Sequence, residues 1–285
     1  MQLLAGRKTR TEHPEFEGRG AALQGPLLSL RNVSRRFVTS RHNTTALDDV
    51  SLDINAGEFV CVVGPSGCGK STLLNLVAGL DRPTAGEMLF DGRPLKGAAA
   101  DRVVVFQEAA LYPWLNVRAN VEFGLKMKHV SGSKRRELVD QYLELVNLSG
   151  FQKAFVHELS GGMKQRVQLA RALAVEPRML LMDEPFAALD AQTRDVLQAE
   201  LQEIWQRTGS TILFITHNVR EAALLGDRVI VMTPSPGRFK SEIPVPLKRP
   251  RDPDTHAVVD FAAEIRTQLQ HDEYPVRAKD SGYVI

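Results

Sequence analysis

The sequence predicts an α/β fold built on a largely parallel sheet. Apolar runs at 179–182, 211–216 and 228–232 alternate with segments of helical period, in which Leu197, Leu201, Ile204 and Trp205 share one face. A further apolar run at 58–63, rich in β-branched residues, passes through a glycine-rich loop into residues 72–78, which read as a helix. Strand, loop and helix in that order form the repeating unit of such a sheet.

The remaining elements follow in chain order. Residues 1–25 mix Arg, Glu, Gly, Thr and Pro without periodicity, so burial cannot repay the entropy of ordering them, and a flexible tail is expected. Alternating runs at 27–37 and 47–54, with a strand at 87–90 and the turn Asp91-Gly92, predict an antiparallel β lobe. Between 107 and 160 the pattern turns helical: Leu138, Tyr142, Leu145 and Val146 fall on one face, giving an inserted helical lobe over about 108–165. One domain is expected over 26–243. A Pro- and Arg-rich stretch at 244–253 and a short helix at about 257–270 form an extension over 244–285.

Composition excludes several classes. With 285 residues, 43% of them apolar and 25% charged, the chain can bury a substantial core. A net charge of +2 gives no broad basic field, so nucleic acid is not indicated. No run approaches the roughly 20 apolar residues of a membrane span, and the first residues lack the apolar stretch of a signal peptide. Two cysteines, Cys61 and Cys68, make no disulfide framework and fit a reducing compartment. Cys68 reads either as a small residue or as a reactive thiol whose alkylation would block the loop.

Three strings carry chemistry. Gly64-Pro65-Ser66-Gly67-Cys68-Gly69-Lys70-Ser71 has the form G-x-x-x-x-G-K-[ST], with the helix opening at Thr72. Its glycines let backbone N–H groups turn inward on phosphates, its lysine reaches the terminal ones, and Ser71 suits Mg²⁺. This predicts a P-loop NTPase core. Next, the run at 179–182 ends in Asp183-Glu184. Beside a phosphate loop, one such acid supports Mg²⁺ and the other orders and deprotonates water, here Asp183 and Glu184 respectively. Taken alone, the two acids would equally suit a helix start. Third, in Leu159-Ser160-Gly161-Gly162-Met163-Lys164-Gln165-Arg166, Ser160 is a good N-cap, and the helix it opens could aim N–H groups at a terminal phosphate or serve the fold alone.

The order phosphate loop, Gln107, Leu159-Ser160-Gly161-Gly162, Asp183-Glu184, Ala188-Leu189-Asp190 and His217 resembles the ATP-binding cassette ATPases over about residues 28–235. More narrowly, Tyr112-Pro113-Trp114-Leu115-Asn116-Val117, Met163, Glu184-Pro185-Phe186 and the stretch from Val231 to Arg238 resemble the ATPase subunits of nitrate, sulfonate and taurine importers. Met163 stands where glutamine is frequent, and Ala187-Ala188 where a serine often precedes Leu-Asp; neither removes a phosphate or metal ligand.

The resemblance implies a homodimer in which each ATP lies between one copy's phosphate loop and Ser160, Gly161 and Gly162 of the other. It implies that Gln107 touches Mg²⁺ or its water and that His217 contacts the terminal phosphate and positions the attacking water. Asp190 would lie in the loop crossing the dimer interface. Phe37 would stack on adenine, although a core aromatic would look the same. The surface near Gln107, with Leu111, Tyr112 and Trp114, would receive a short permease helix or else pack within the lobe.

The function so implied is a Mg²⁺-dependent ATPase, peripheral on the cytoplasmic face of a membrane. It would power import of a small oxyanion through separate integral membrane permease subunits, with a substrate-binding protein as indirect partner. An export ATPase and a soluble non-transport cassette are the alternatives. A P-loop kinase would leave the Ser160-Gly161-Gly162 string unexplained.

Overall fold

The computed structural model describes residues 25–38 and 43–270. In chain order the strands are β1 (Leu28–Val38), β2 (Asn43–Ile54), β3 (Phe59–Val63), β4 (Ala85–Phe90), β5 (Arg93–Pro94), β6 (Arg102–Val105), β7 (Met179–Asp183), β8 (Thr211–Thr216), β9 (Arg228–Met232) and β10 (Phe239–Pro244). The helices are α1 (Lys70–Ala78), α2 (Val117–Met127), α3 (Gly132–Leu145), α4 (Gly161–Ala174), α5 (Ala191–Thr208), α6 (Val219–Leu225) and α7 (His256–Gln270). The tail expected at the N-terminus, apart from Gly25, and the last fifteen residues lie outside the described residues.

Two sheets form. Strands β2, β1, β4 and β5 make the antiparallel lobe, and the main sheet runs β10-β9-β3-β8-β7-β6. Its inner pairings are all parallel, and only β10 runs antiparallel, on β9. The sequence does not announce β10. As an edge strand it is paired on one side and half-exposed, so it needs no apolar run, and Pro244 ends it without costing a ladder bond. The strand expected at 27–37 starts and ends one residue later, and that expected at 47–54 begins at Asn43, where polar residues pair with β1 at the lobe's margin.

The main sheet is buried on both faces, which is why its strands read as continuous apolar runs. Along β3, Val60 and Val62 join the cluster beneath α1 and the antiparallel lobe, while Phe59, Cys61 and Val63 join the cluster on the opposite, helix-rich side. Each such side chain contributes about 1.5–3 kcal/mol by leaving water. The helical face expected from Leu138, Tyr142, Leu145 and Val146 is buried, as are Leu197, Leu201 and Ile204 of α5. Beyond β10, Val245, Val258, Phe261, Ala262 and Ile265 enter the helix-side cluster.

In the helical lobe, Asn116 caps α2 by accepting from the N–H of Ala119 at 2.8 Å. The fully buried Asn120 accepts from the N–H of Tyr112 and donates to the carbonyls of Tyr112, Leu115 and Asn116. One side chain thereby fixes the loop ahead of α2.

Candidate functional site

The loop after β3 closes on itself through two left-handed positions, Gly67 at φ 76° and Gly69 at φ 98°. A side chain at Gly69 would also collide with the backbone carbonyl of Ala46 in β2, at 2.6 Å. The strand β2 and the segment after β9 therefore form a wall against the loop. A Cβ at Gly237 would lie 2.0 Å from the carbonyl oxygen of Cys68, and the N–H of Gly237 donates to Ala46. The 231–238 stretch thus abuts the phosphate loop, which sequence spacing does not reveal.

Lys70 is buried at the head of α1, and its Nζ donates to the carbonyls of Gly64 at 2.8 Å and Pro65 at 3.0 Å. The ammonium is therefore held at the loop's own mouth. Cys68 is buried beneath it, and burial pushes its thiol up against the opposing pull of Lys70. That disfavours the thiolate and fits the reading of Cys68 as a small packing residue.

The strand order brings the other candidates to the same edge. The strand β8, which leads into His217, lies between β3, which leads into the loop, and β7, which ends in Asp183. All three run parallel, so their C-terminal ends converge. The hydroxyl of Ser71 donates to Oδ1 of Asp183 at 3.4 Å. Burial pushes the Asp183 carboxyl up, and the charge of Glu184 adds to this, while the Ser71 hydrogen bond and Lys70 oppose it. A desolvated carboxylate beside a hydroxyl, both hard oxygen donors, suits Mg²⁺. Among the described residues no group of three or more His, Cys, Asp or Glu could hold a metal. A Mg²⁺ carried by one or two protein oxygens together with substrate phosphates needs no such group.

Glu184 has φ 45°, in the left-handed region that a glutamate rarely adopts. Its N–H donates to the carbonyl of Ile215 in β8, and its Oε2 lies 2.8 Å from Nδ1 of His217. An ionised Glu184 accepts from Nδ1–H, which leaves Nε2 of His217 free of that contact.

Ser160 caps α4, accepting from the N–H of Met163 at 3.3 Å. Ser160 and Gly161 are exposed, while Gly162 is buried against Thr193 of α5. Asp190 caps α5, and the hydrogen bonds it accepts, chiefly from the N–H of Thr193, hold its carboxyl below the usual value. Gln107 is exposed just beyond β6, which neighbours β7, and its carbonyl accepts from Nε2 of Gln165 in α4 at 2.8 Å. Phe37 is exposed, with the guanidinium of Arg35 4.4 Å from its ring centroid, so it is not a core aromatic. Of the three residues considered for a permease helix, Leu111 is buried in the lobe and Tyr112 packs on Phe123, while Trp114 is 71% exposed. Leu111 is therefore a lobe-packing residue.

Three supports of the site carry no sequence signal of their own. Gln165 ties α4 to Gln107, Arg194 donates to the carbonyls of Phe186 and Leu189, and the buried Glu221 accepts from Thr216. A buried acid in the first turn of α6 could have been sought at i+4 from His217, but acids at helix starts are common enough to hide it.

A family model described as ABC transporter matches residues 47–187. The chain is 46% identical over 254 residues to a taurine import ATP-binding protein of Roseobacter denitrificans, covering 89% of this chain and 91% of that protein. It is 49% identical over 228 residues to a nitrate import ATP-binding protein of Synechocystis, covering 80% and 85%. Among solved structures, an ATP-binding cassette in a dimeric post-hydrolysis state bound to ADP and Pi superposes with a TM-score of 0.67. It shares 34% identity, over 78% of this chain and all of that one.

Proposed function

This chain belongs to the ATP-hydrolysing cassettes of the ABC transporter family, and from that premise we propose that it powers uptake of a small oxyanion such as taurine, another sulfonate or nitrate. The identity of 46–49% to import ATP-binding proteins over most of both chains supports this choice of cargo. Among the described residues no helix is long and apolar enough to cross a membrane. In the proposed assembly, suggested by the import ATP-binding relatives, the pore belongs to integral membrane permease subunits that hold this chain at the cytoplasmic face, with a substrate-binding protein delivering the cargo. Exposed Trp114 beside the Gln107 loop is the contact proposed for the permease.

The observation that carries the mechanism is the Glu184–His217 pair, 2.8 Å apart at the edge where the phosphate loop opens. In the proposed cycle the loop of residues 64–72, through its backbone N–H groups at every position but Pro65, and the Lys70 ammonium hold the triphosphate, and the exposed ring of Phe37 stacks on adenine. Asp183 and Ser71, with Gln107 nearby, would hold Mg²⁺, which when bound offsets charge on the β- and γ-phosphates. Glu184 takes a proton from water as its oxygen attacks the γ-phosphorus, and the bond to the β–γ bridging oxygen breaks. His217 keeps that water in line. Ser160, Gly161 and Gly162 of a second copy would close over the same γ-phosphate, and Asp190 would lie at the seam. Two ATP molecules then favour the closed dimer, and hydrolysis releases it.

Glu184→Gln should keep ATP affinity within about twofold, lose turnover by at least about 100-fold, and elute as an ATP-dependent dimer. Turnover at the parental rate would remove Glu184 from the role of base. Uptake of labelled taurine, alkanesulfonate or nitrate in a strain deleted for the chain tests the cargo. Unchanged uptake of all three would overturn it.

A further inference from the structure

We propose that Glu221 is a positioning residue for His217, acting through the hydroxyl of Thr216. The proposal rests on the role given to His217 above. Glu221 sits in the first turn of α6, only 5% exposed. Its Oε2 accepts a hydrogen bond from the Thr216 hydroxyl at 2.6 Å, and its Oε1 accepts one from Nε2 of Gln198 at 3.1 Å. The same Thr216 oxygen accepts from the N–H of Asn218 at 2.9 Å.

A hydroxyl has one proton and two lone pairs. By accepting the hydroxyl's hydrogen bond, Glu221 fixes the rotor and leaves a lone pair aimed at the Asn218 N–H. The residues on either side of His217 are thereby tied to each other, and both are tied to a carboxylate that is itself anchored on α5. The turn that carries the imidazole is held, and with it the 2.8 Å approach of Nδ1 to Glu184.

An acid that served only the helix dipole would do so from the surface, without the desolvation that pushes the Glu221 carboxyl up. Both of its oxygens accept hydrogen bonds here, as an ionised carboxylate does. Arg194, one turn before Gln198 on α5, supplies compensating charge. The same guanidinium donates to the carbonyls of Phe186 and Leu189, within the turn that joins Glu184 to Asp190. One face of α5 therefore holds the turn ahead of Asp190 through Arg194 and the turn at His217 through Gln198 and Glu221. The two loops cannot shift independently.

The test is steady-state ATP hydrolysis and nucleotide binding by the full-length protein carrying Glu221→Ala, Glu221→Gln, Thr216→Val and Thr216→Ser, each with and without His217→Ala. Glu221→Ala and Thr216→Val should each lower kcat about 10- to 100-fold while KM and ATP affinity stay within about twofold, since a displaced imidazole costs turnover and not binding. Glu221→Gln, which can still accept from Thr216 and pair with Gln198 once that amide turns over, should stay within about threefold of the parent, as should Thr216→Ser. On the His217→Ala background neither Glu221→Ala nor Thr216→Val should lower kcat further.

Parental turnover in Glu221→Ala, or a loss that multiplies with that of His217→Ala, would overturn the proposal while leaving His217 in place. Parental turnover in His217→Ala alone would instead remove the role of His217 and, with it, this one. Should Glu221→Ala fail to fold, the Thr216→Val pair carries the same comparison.

Discussion

Arg251 donates from Nη1 to the carbonyl oxygen of Gly226 at 2.6 Å, and from the same nitrogen to Ala223 and Leu224, so that it caps the end of α6 from a distant segment. Its Nε reaches Leu247, and its own peptide pairs in both directions with the Gln202 side chain. Burial, with Arg249 adding to it, pulls the pKa down to about 10, so the guanidinium stays charged at neutral pH. The stretch at 244–253, Pro- and Arg-rich in sequence, is thus pinned to the helix that follows His217.

Arg251→Ala strips donors from several buried carbonyls at once. It should cost about 3 kcal/mol and lower the melting temperature by roughly 6–12 °C. Arg251→Lys, with a single ammonium unable to reach both α6 and Leu247, should lose about half as much. A thermal scan with no shift for either variant would remove the cap from the stability of this segment.

Asp183 predicts a trade between stability and metal binding. Its folded-state pKa lies above the unfolded value near 3.8, because burial and Glu184 disfavour the charge. Sign follows directly: the contribution to folding is complete below that unfolded value and is lost as pH rises through the raised one. Asp183→Asn should therefore melt higher than the parent. After solvent screening at this partly exposed group the gain is on the order of 2 °C, larger at pH 7 than at pH 4.5. The parent should gain stability from Mg²⁺ with ATP and the variant much less. A variant that melts lower at pH 7, measured by calorimetry without nucleotide, would contradict the electrostatic account.

Gly161 and Gly162 should separate fold from assembly. A Cβ at Gly162 would meet Cγ2 of Thr193 at 2.6 Å, so Gly162→Ala forces α4 from α5 and should cost about 1–3 kcal/mol. A Cβ at Gly161 meets only Cδ2 of Leu189, at an ordinary 3.5 Å. Gly161→Ala should hold its melting temperature within about 2 °C, yet lower turnover if the head of α4 closes over a second copy's phosphate. Full turnover in Gly161→Ala, with the dimer formed normally, would count against that closure.

Much of the candidate site is legible in the sequence because its chemistry is local. Five residues separate Gly64 from Lys70, and that spacing alone builds the loop; Ser160 falls where the sequence places a helix cap, and it caps α4. The supports are illegible for the opposite reason. Glu221, Gln165 and Arg194 look like ordinary polar helix residues. Glu221 meets Gln198 23 residues away and Gln165 meets a carbonyl 58 residues away, while Thr216 and the carbonyls that Arg194 reaches lie within 8 residues but outside the helix that carries each partner. Leu111 shows the same limit: the sequence leaves it open between a permease contact and lobe packing, and the structure buries it within the lobe.

By itself the sequence determined the alternation of strands and helices, the phosphate loop and the acids that follow β7, because periodicity and short-range spacing are properties of neighbours along the chain. Only the tertiary structure decided that β8 lies between β3 and β7, and so that His217 meets Glu184 beside Lys70 and Asp183. Strand order is set by which buried faces pack together across the whole sheet, a long-range choice that no local pattern encodes.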